Sequence, residues 1–102
     1  MIYFFYGENE FEKRRAIAKL IGDEKVARHD GEDLTLAGMQ EIAIGQTLFM
    51  NSSVYLISKL GENSEIWSQL PDMKFDDDRT IILAEDKIDK RTKTYKWLQK
   101  NA

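Results

Sequence analysis

Three short runs of uninterrupted apolar residues, Ile2–Tyr6, Val54–Ile57 and Thr80–Ala84, constrain this chain more than any other feature. Each is too short for a helix and lacks polar alternation, so each reads as a strand covered on both faces, as central strands of parallel sheets are. The stretches between them carry apolar residues at helical spacing. Phe11, Ile17, Ala18 and Ile21 predict a first helix opened by Glu8 or Asn9 and stopped by Gly22. Leu36, Met39, Ile42 and Ala43 predict a second, with Thr35 as N-cap and Gly45 as its stop. Ile66, Trp67 and Leu70 fit a brief third helix, capped by Asn63 or Ser64 and terminated by Pro71. Asp89 is placed to cap a fourth from Lys90 to Lys100, with Tyr95 and Leu98 three apart and Trp97 beside them. Lys25 to His29 adds a short strand centred on Val26, and Asp30-Gly31-Glu32 is turn chemistry. Strands alternating with helices predict the α/β class, with three layers and a mostly parallel sheet flanked by helices.

At 102 residues the chain makes one domain with a modest core, and no repeat, low-complexity tract or linker divides it. Its net charge of -3 argues against coating nucleic acid by bulk electrostatics, so any such contact must be local. With no cysteine there is no disulfide framework, thiolate nucleophile or Cys-based metal site. The opening MIYFFYGENEF lacks a basic leader and meets Gly7 and Glu8 too soon for a signal peptide or membrane span. A cytoplasmic protein without a membrane partner is the expectation.

Ligands of parallel sheets bind at the carboxyl ends of the strands, so the turn Gly7-Glu8-Asn9-Glu10 is where a phosphate loop would lie. The further glycines, the lysine and the Ser/Thr that such a loop needs are missing from it. Glu85 and Asp86 imitate the acids that position magnesium in P-loop ATPases, but without that lysine they read as solvated carboxylates. Asp76, Asp77 and Asp78 cannot all point at one cation and lack the spacing of a calcium loop. His29, the single histidine, has no nucleophile or second histidine at motif spacing and reads as a turn residue. These residues predict no catalytic constellation, no metal site and no cofactor. The run KIDKRTKTYK, 87–96, is the locally basic stretch, a solvated helix face or a patch for phosphates.

Leu48 and Phe49 stand apart. They follow the predicted helix stop Gly45 and precede Asn51, Ser52 and Ser53, so periodicity puts neither on a regular buried face. They are either a plug under a loop or an anchor for a partner, and the residues alone leave both open.

Taken in order, IYFFYGENEF, HDGEDL, QTLF and IILAEDKIDKRTKTYKWLQKNA resemble the delta subunit of bacterial DNA polymerase III, a clamp-loader component, along the whole chain. The most specific piece is Ile88-Asp89-Lys90-Arg91-Thr92-Lys93 with Tyr95 following. The resemblance implies an AAA+-like first domain of P-loop NTPase descent, without a functional phosphate loop and noncatalytic. It further implies that 1–102 is a fragment, incomplete at the C-terminus, that lacks a further strand and the lid and collar domains. The partners it implies are the sliding clamp, the other clamp-loader subunits and, through the assembled complex, DNA. Its clamp-binding element maps onto Gln46, Thr47, Leu48 and Phe49, the last two entering an apolar pocket of the clamp. Some relatives carry an apolar residue where Gln46 stands. Two rival expectations remain: a degenerate nucleotide-binding domain using Glu85 or Asp86, and a DNA or subunit contact through Lys90, Arg91 and Lys93.

Overall fold

A computed structural model describes residues 1–44, 54–76 and 79–102. Four strands, β1 (Ile2–Tyr6), β2 (Val26–Asp30), β3 (Val54–Ser58) and β4 (Thr80–Glu85), pair in the order β1-β4-β3-β2, every pairing parallel. The two interior strands, β3 and β4, are two of the three apolar runs. The third, β1, lies at an edge, so its continuous apolar character reflects cover on its faces and not a partner on each side.

Because side chains alternate along a strand, the sheet divides its apolar residues between two cores. Tyr55, Ile57, Ile81 and Leu83 face α2 (Leu36–Ile44), α3 (Ser64–Gln69) and α4 (Lys93–Asn101), and pack with Met39, Ile42, Ile66, Trp67 and Leu98. Val54 and Ile82 face the other way, onto Ile17 of α1 (Glu10–Ile21). These are the three layers expected.

The caps of α2 and α3 are those foreseen: Thr35 Oγ1 accepts the N–H of Gly38, and Asn63 Oδ1 that of Ile66. Other local expectations are corrected. Phe11 is 73% exposed, because the inner face of α1 is set by Lys13 and Ile17, four residues apart, and Phe11 lies two residues off that line. Helix α4 begins at Lys93, not Lys90; its N-cap is Thr92, whose Oγ1 accepts the N–H of Tyr95, while Asp89 closes the preceding turn. His29 lies within β2 and stacks on Tyr55, and is not a turn residue. Helix α3 does end just before Pro71, at Gln69, and Pro71 sits in the 3-10 turn Leu70–Asp72 that follows it.

Candidate functional site at the carboxyl edge of the sheet

Strand β1 ends at Gly7, whose φ of 124° is a conformation that side chains other than glycine rarely adopt. Its N–H donates to the carbonyl of Glu85, joining the ends of β1 and β4. Asn9 then caps α1 by accepting the N–H of Glu12 at 3.1 Å. One turn into the helix, Lys13 points back under this junction. Its Nζ donates to the carbonyl oxygens of Gly7 at 3.1 Å and Glu85 at 3.0 Å, and to Asp86 Oδ1 at 2.7 Å. Glu10 Oε1 lies 2.9 Å from the same ammonium.

Lys13 is 8% exposed, and burial alone would lower its pKa, but the hydrogen bonds to Asp86 and Glu10 outweigh this and leave it raised. Asp86 is held below the usual carboxylate range, first by Lys13 and then by Glu10. The place where α/β proteins receive a phosphate is thus filled by the chain's own ammonium, flanked by two carboxylates that would repel one. Lys13 was missed because a phosphate lysine belongs in the loop. Its legible trace was a charged residue four positions before Ile17, on the inner stripe of an amphipathic helix. Lys13→Met should lower unfolding free energy in urea by about 1–3 kcal/mol, since the Gly7 carbonyl loses its ammonium donor.

Glu85 corrects the expectation of a solvated strand end. It is 2% exposed, with Oε2 accepting the N–H of Leu60 at 2.9 Å and Oε1 that of Gly61 at 2.8 Å. Burial pushes its pKa up to about 7 against the pull of these bonds, with Asp86 and Glu62 adding like charge. The turn it holds, Leu60–Glu62, follows Lys59 in the left-handed region and runs into Asn63. Asn63 in turn donates from Nδ2 to the carbonyls of Gly31 and Leu34. One connected set of bonds therefore spans the carboxyl ends of β2, β3 and β4.

Beside this edge, a cleft of about 580 Å³ lies between α3 and residues 87–94, lined among others by Trp67, Ile88, Thr92, Lys87 and Lys93. Lys90 is exposed and sits over the Tyr6 ring at 5.8 Å, and the Tyr6 and Tyr95 hydroxyls are 3.2 Å apart. Arg91 is exposed and paired with Asp89 at 3.1 Å. Lys93 stands exposed in the first turn of α4. Lys87 and Lys93 line this cleft while Lys90 reaches the end of β1 at Tyr6, so the basic run expected around a helix start lies mostly in the turn before α4.

Gln46, Thr47, Leu48 and Phe49 lie outside the described residues, as do Asp77 and Asp78. The described residues on either side of the first group are Ile44, the 38% exposed end of α2, and Val54, the start of interior strand β3. Parallel strands enter the sheet at its amino edge, so both flanks lie opposite the Lys13 and Glu85 clusters. Among the described residues no cluster of three or more His, Asp or Glu side chains is arranged to hold a metal ion, and no helix is long and apolar enough to cross a membrane.

No family model and no curated protein matches the sequence. Among solved structures, the chain is similar to the DNA clamp loader delta protein of Bacillus subtilis, with a TM-score of 0.63 and 18% identity over 99% of this chain. The match covers 36% of that protein, so the chain spans about a third of its length. What the two share is the fold.

Proposed function

We propose that this chain is the clamp-contacting first domain of a clamp-loader delta subunit, a noncatalytic AAA+-like domain that helps open a sliding clamp for loading onto primed DNA. The observation that carries the reading is the fold shared with a clamp loader delta protein across 99% of this chain, in agreement with the ordered sequence resemblance. Two features of the chain support it. The phosphate position holds Lys13, Glu10 and Asp86 in mutual contact, as suits a relative without ATPase activity. Ile44, the last described residue before Gln46, is an exposed isoleucine that ends α2 on the edge of the sheet away from that cluster.

In this reading Leu48 and Phe49 are the anchors, preceded by Gln46 and Thr47 in the same clamp-binding element, and the family's lid and collar domains, the collar joining the other clamp-loader subunits, complete the subunit in a cytoplasmic replication complex. Among the described residues edge strand β1 pairs with β4 alone, which suits the further strand that the family resemblance implies. The test is calorimetric titration of the protein with the sliding clamp of its own organism. Saturable binding is expected; a folded protein that heats the cell no more than buffer does would overturn the proposal.

A second reading, direct contact with DNA, is favoured by one observation. Residues 87–102 hold six Lys/Arg and one Asp, while residues 1–86 hold nine Lys/Arg and seventeen Asp/Glu. Lys87, Lys90, Lys93 and Lys96 are exposed and make no ion pair among the described residues. If about four phosphates are neutralised, affinity for duplex DNA should fall with salt at a log–log slope of about -3 to -4. Binding indifferent to salt, or none at low salt, would exclude this reading.

A further inference from the structure

Glu85 is a carboxylate buried at the meeting point of three strand ends. Both of its oxygens are used by backbone donors of one turn, Leu60 N–H and Gly61 N–H. The fit is close: a Cβ on Gly61 would fall 2.8 Å from Glu85 Oε1, so glycine is what lets the backbone approach the carboxylate. The turn is not isolated. Its far end is Asn63, which caps α3 and ties Gly31 and Leu34, and Gly61 and Ser64 line the cleft against residues 87–94. What happens to the Glu85 bonds therefore reaches both the β2–α2 turn and the cleft wall.

An ionised carboxylate accepts both N–H groups. A protonated one keeps one strong carbonyl acceptor, and the oxygen that carries the proton becomes a much weaker acceptor for the second N–H. We propose that Glu85 is a proton-operated latch: ionised, it holds the Leu60–Glu62 turn against the end of β4, and on protonation it lets go of one of the two backbone donors. This goes beyond the clamp-loader reading and does not depend on it.

The charged groups around the latch act in both directions. Asp86 on the same strand end and Glu62 on the held turn favour protonation, and Glu62 in turn holds the Glu32 carboxyl above its usual range. Lys59 and Lys87 share the small cleft with Glu85, and Lys13 from α1 holds its main-chain carbonyl. Burial adds to Asp86 and Glu62, and the carboxyl titrates near pH 7, where a small change in acidity alters its state.

The test is an NMR pH titration of the protein between about pH 3 and 8.5. The Leu60 and Gly61 amide protons should shift together, with one midpoint near 7 that matches the Glu85 carboxyl carbon. In Glu85→Gln that common transition should vanish. Glu62→Gln, which keeps the latch and removes a like charge, should move the midpoint to lower pH. Amide midpoints near 4.5, where exposed glutamates titrate, or amides that do not respond while the carboxyl does, would overturn the proposal. The wild-type titration decides the matter even if Glu85→Gln does not fold.

Discussion

Leu48→Ala combined with Phe49→Ala should abolish measurable binding to the sliding clamp and leave the circular dichroism spectrum unchanged. Each side chain, fully desolvated in an apolar pocket, contributes roughly 1.5–3 kcal/mol before association costs. Losing both weakens binding by at least ~100-fold, which takes a modest contact out of the range of calorimetry. The fold should survive because the described residues by themselves bury Tyr55, Ile57, Ile81 and Leu83 on one face of the sheet and Val54 and Ile82 on the other. If the double variant unfolds instead, Leu48 and Phe49 are core residues and the clamp contact must be sought elsewhere.

Gly31→Ala should be among the most destabilising single substitutions in the protein, although Gly31 is neither an anchor nor a member of a charged cluster. The N–H of Gly31 donates to the carbonyl of Ser58, drawing the β2–α2 turn onto the end of β3. A Cβ at this position would lie 2.6 Å from the Leu60 nitrogen and 2.8 Å from the Ser58 oxygen, both backbone atoms that cannot turn aside as a side chain can. To admit it, the turn must lift away, straining the bonds that Asn63 donates to Gly31 and Leu34 and those that the Leu60 and Gly61 N–H groups donate to Glu85. Overpacking costs about 1–3 kcal/mol, and the strained hydrogen bonds add roughly 1 kcal/mol each, so a loss of about 3 kcal/mol or more is expected in urea unfolding. Gly38→Ala is the control: its nearest neighbours would be the Thr35 and Leu34 side chains at 3.1 and 3.8 Å, and the change should be small. A Gly31→Ala protein as stable as the parent would mean that the turn does not rest on β3 as described.

The legible part of this molecule was local. Apolar runs bounded by turn residues marked β1, β3 and β4, helical spacing marked the inner faces of α2 and α3, and Thr35 and Asn63 announced themselves as caps. These features are written within a few residues, because burial and capping of one element depend on side chains spaced along that element. Phe11 shows the limit even there. An aromatic residue near helical spacing was assigned to the core, whereas the fold put Lys13 inside and left Phe11 out.

Only the tertiary structure decided what lies at the carboxyl edge. Lys13 meets Asp86 across 73 residues, and Glu85 meets Gly61 across 24, pairings set by a strand order that brings β4 between β1 and β3. No sequence period carries strand order. Lys13 drew no assignment and Glu85 read as a solvated acid, because what turns each into a buried, bonded group is supplied by segments far along the chain. The sequence by itself determined the α/β class and the emptiness of the Gly7–Glu10 turn as a phosphate loop. The packing of β1 beside β4 determined what stands in the phosphate's place, since a parallel sheet collects the ends of distant strands at one edge.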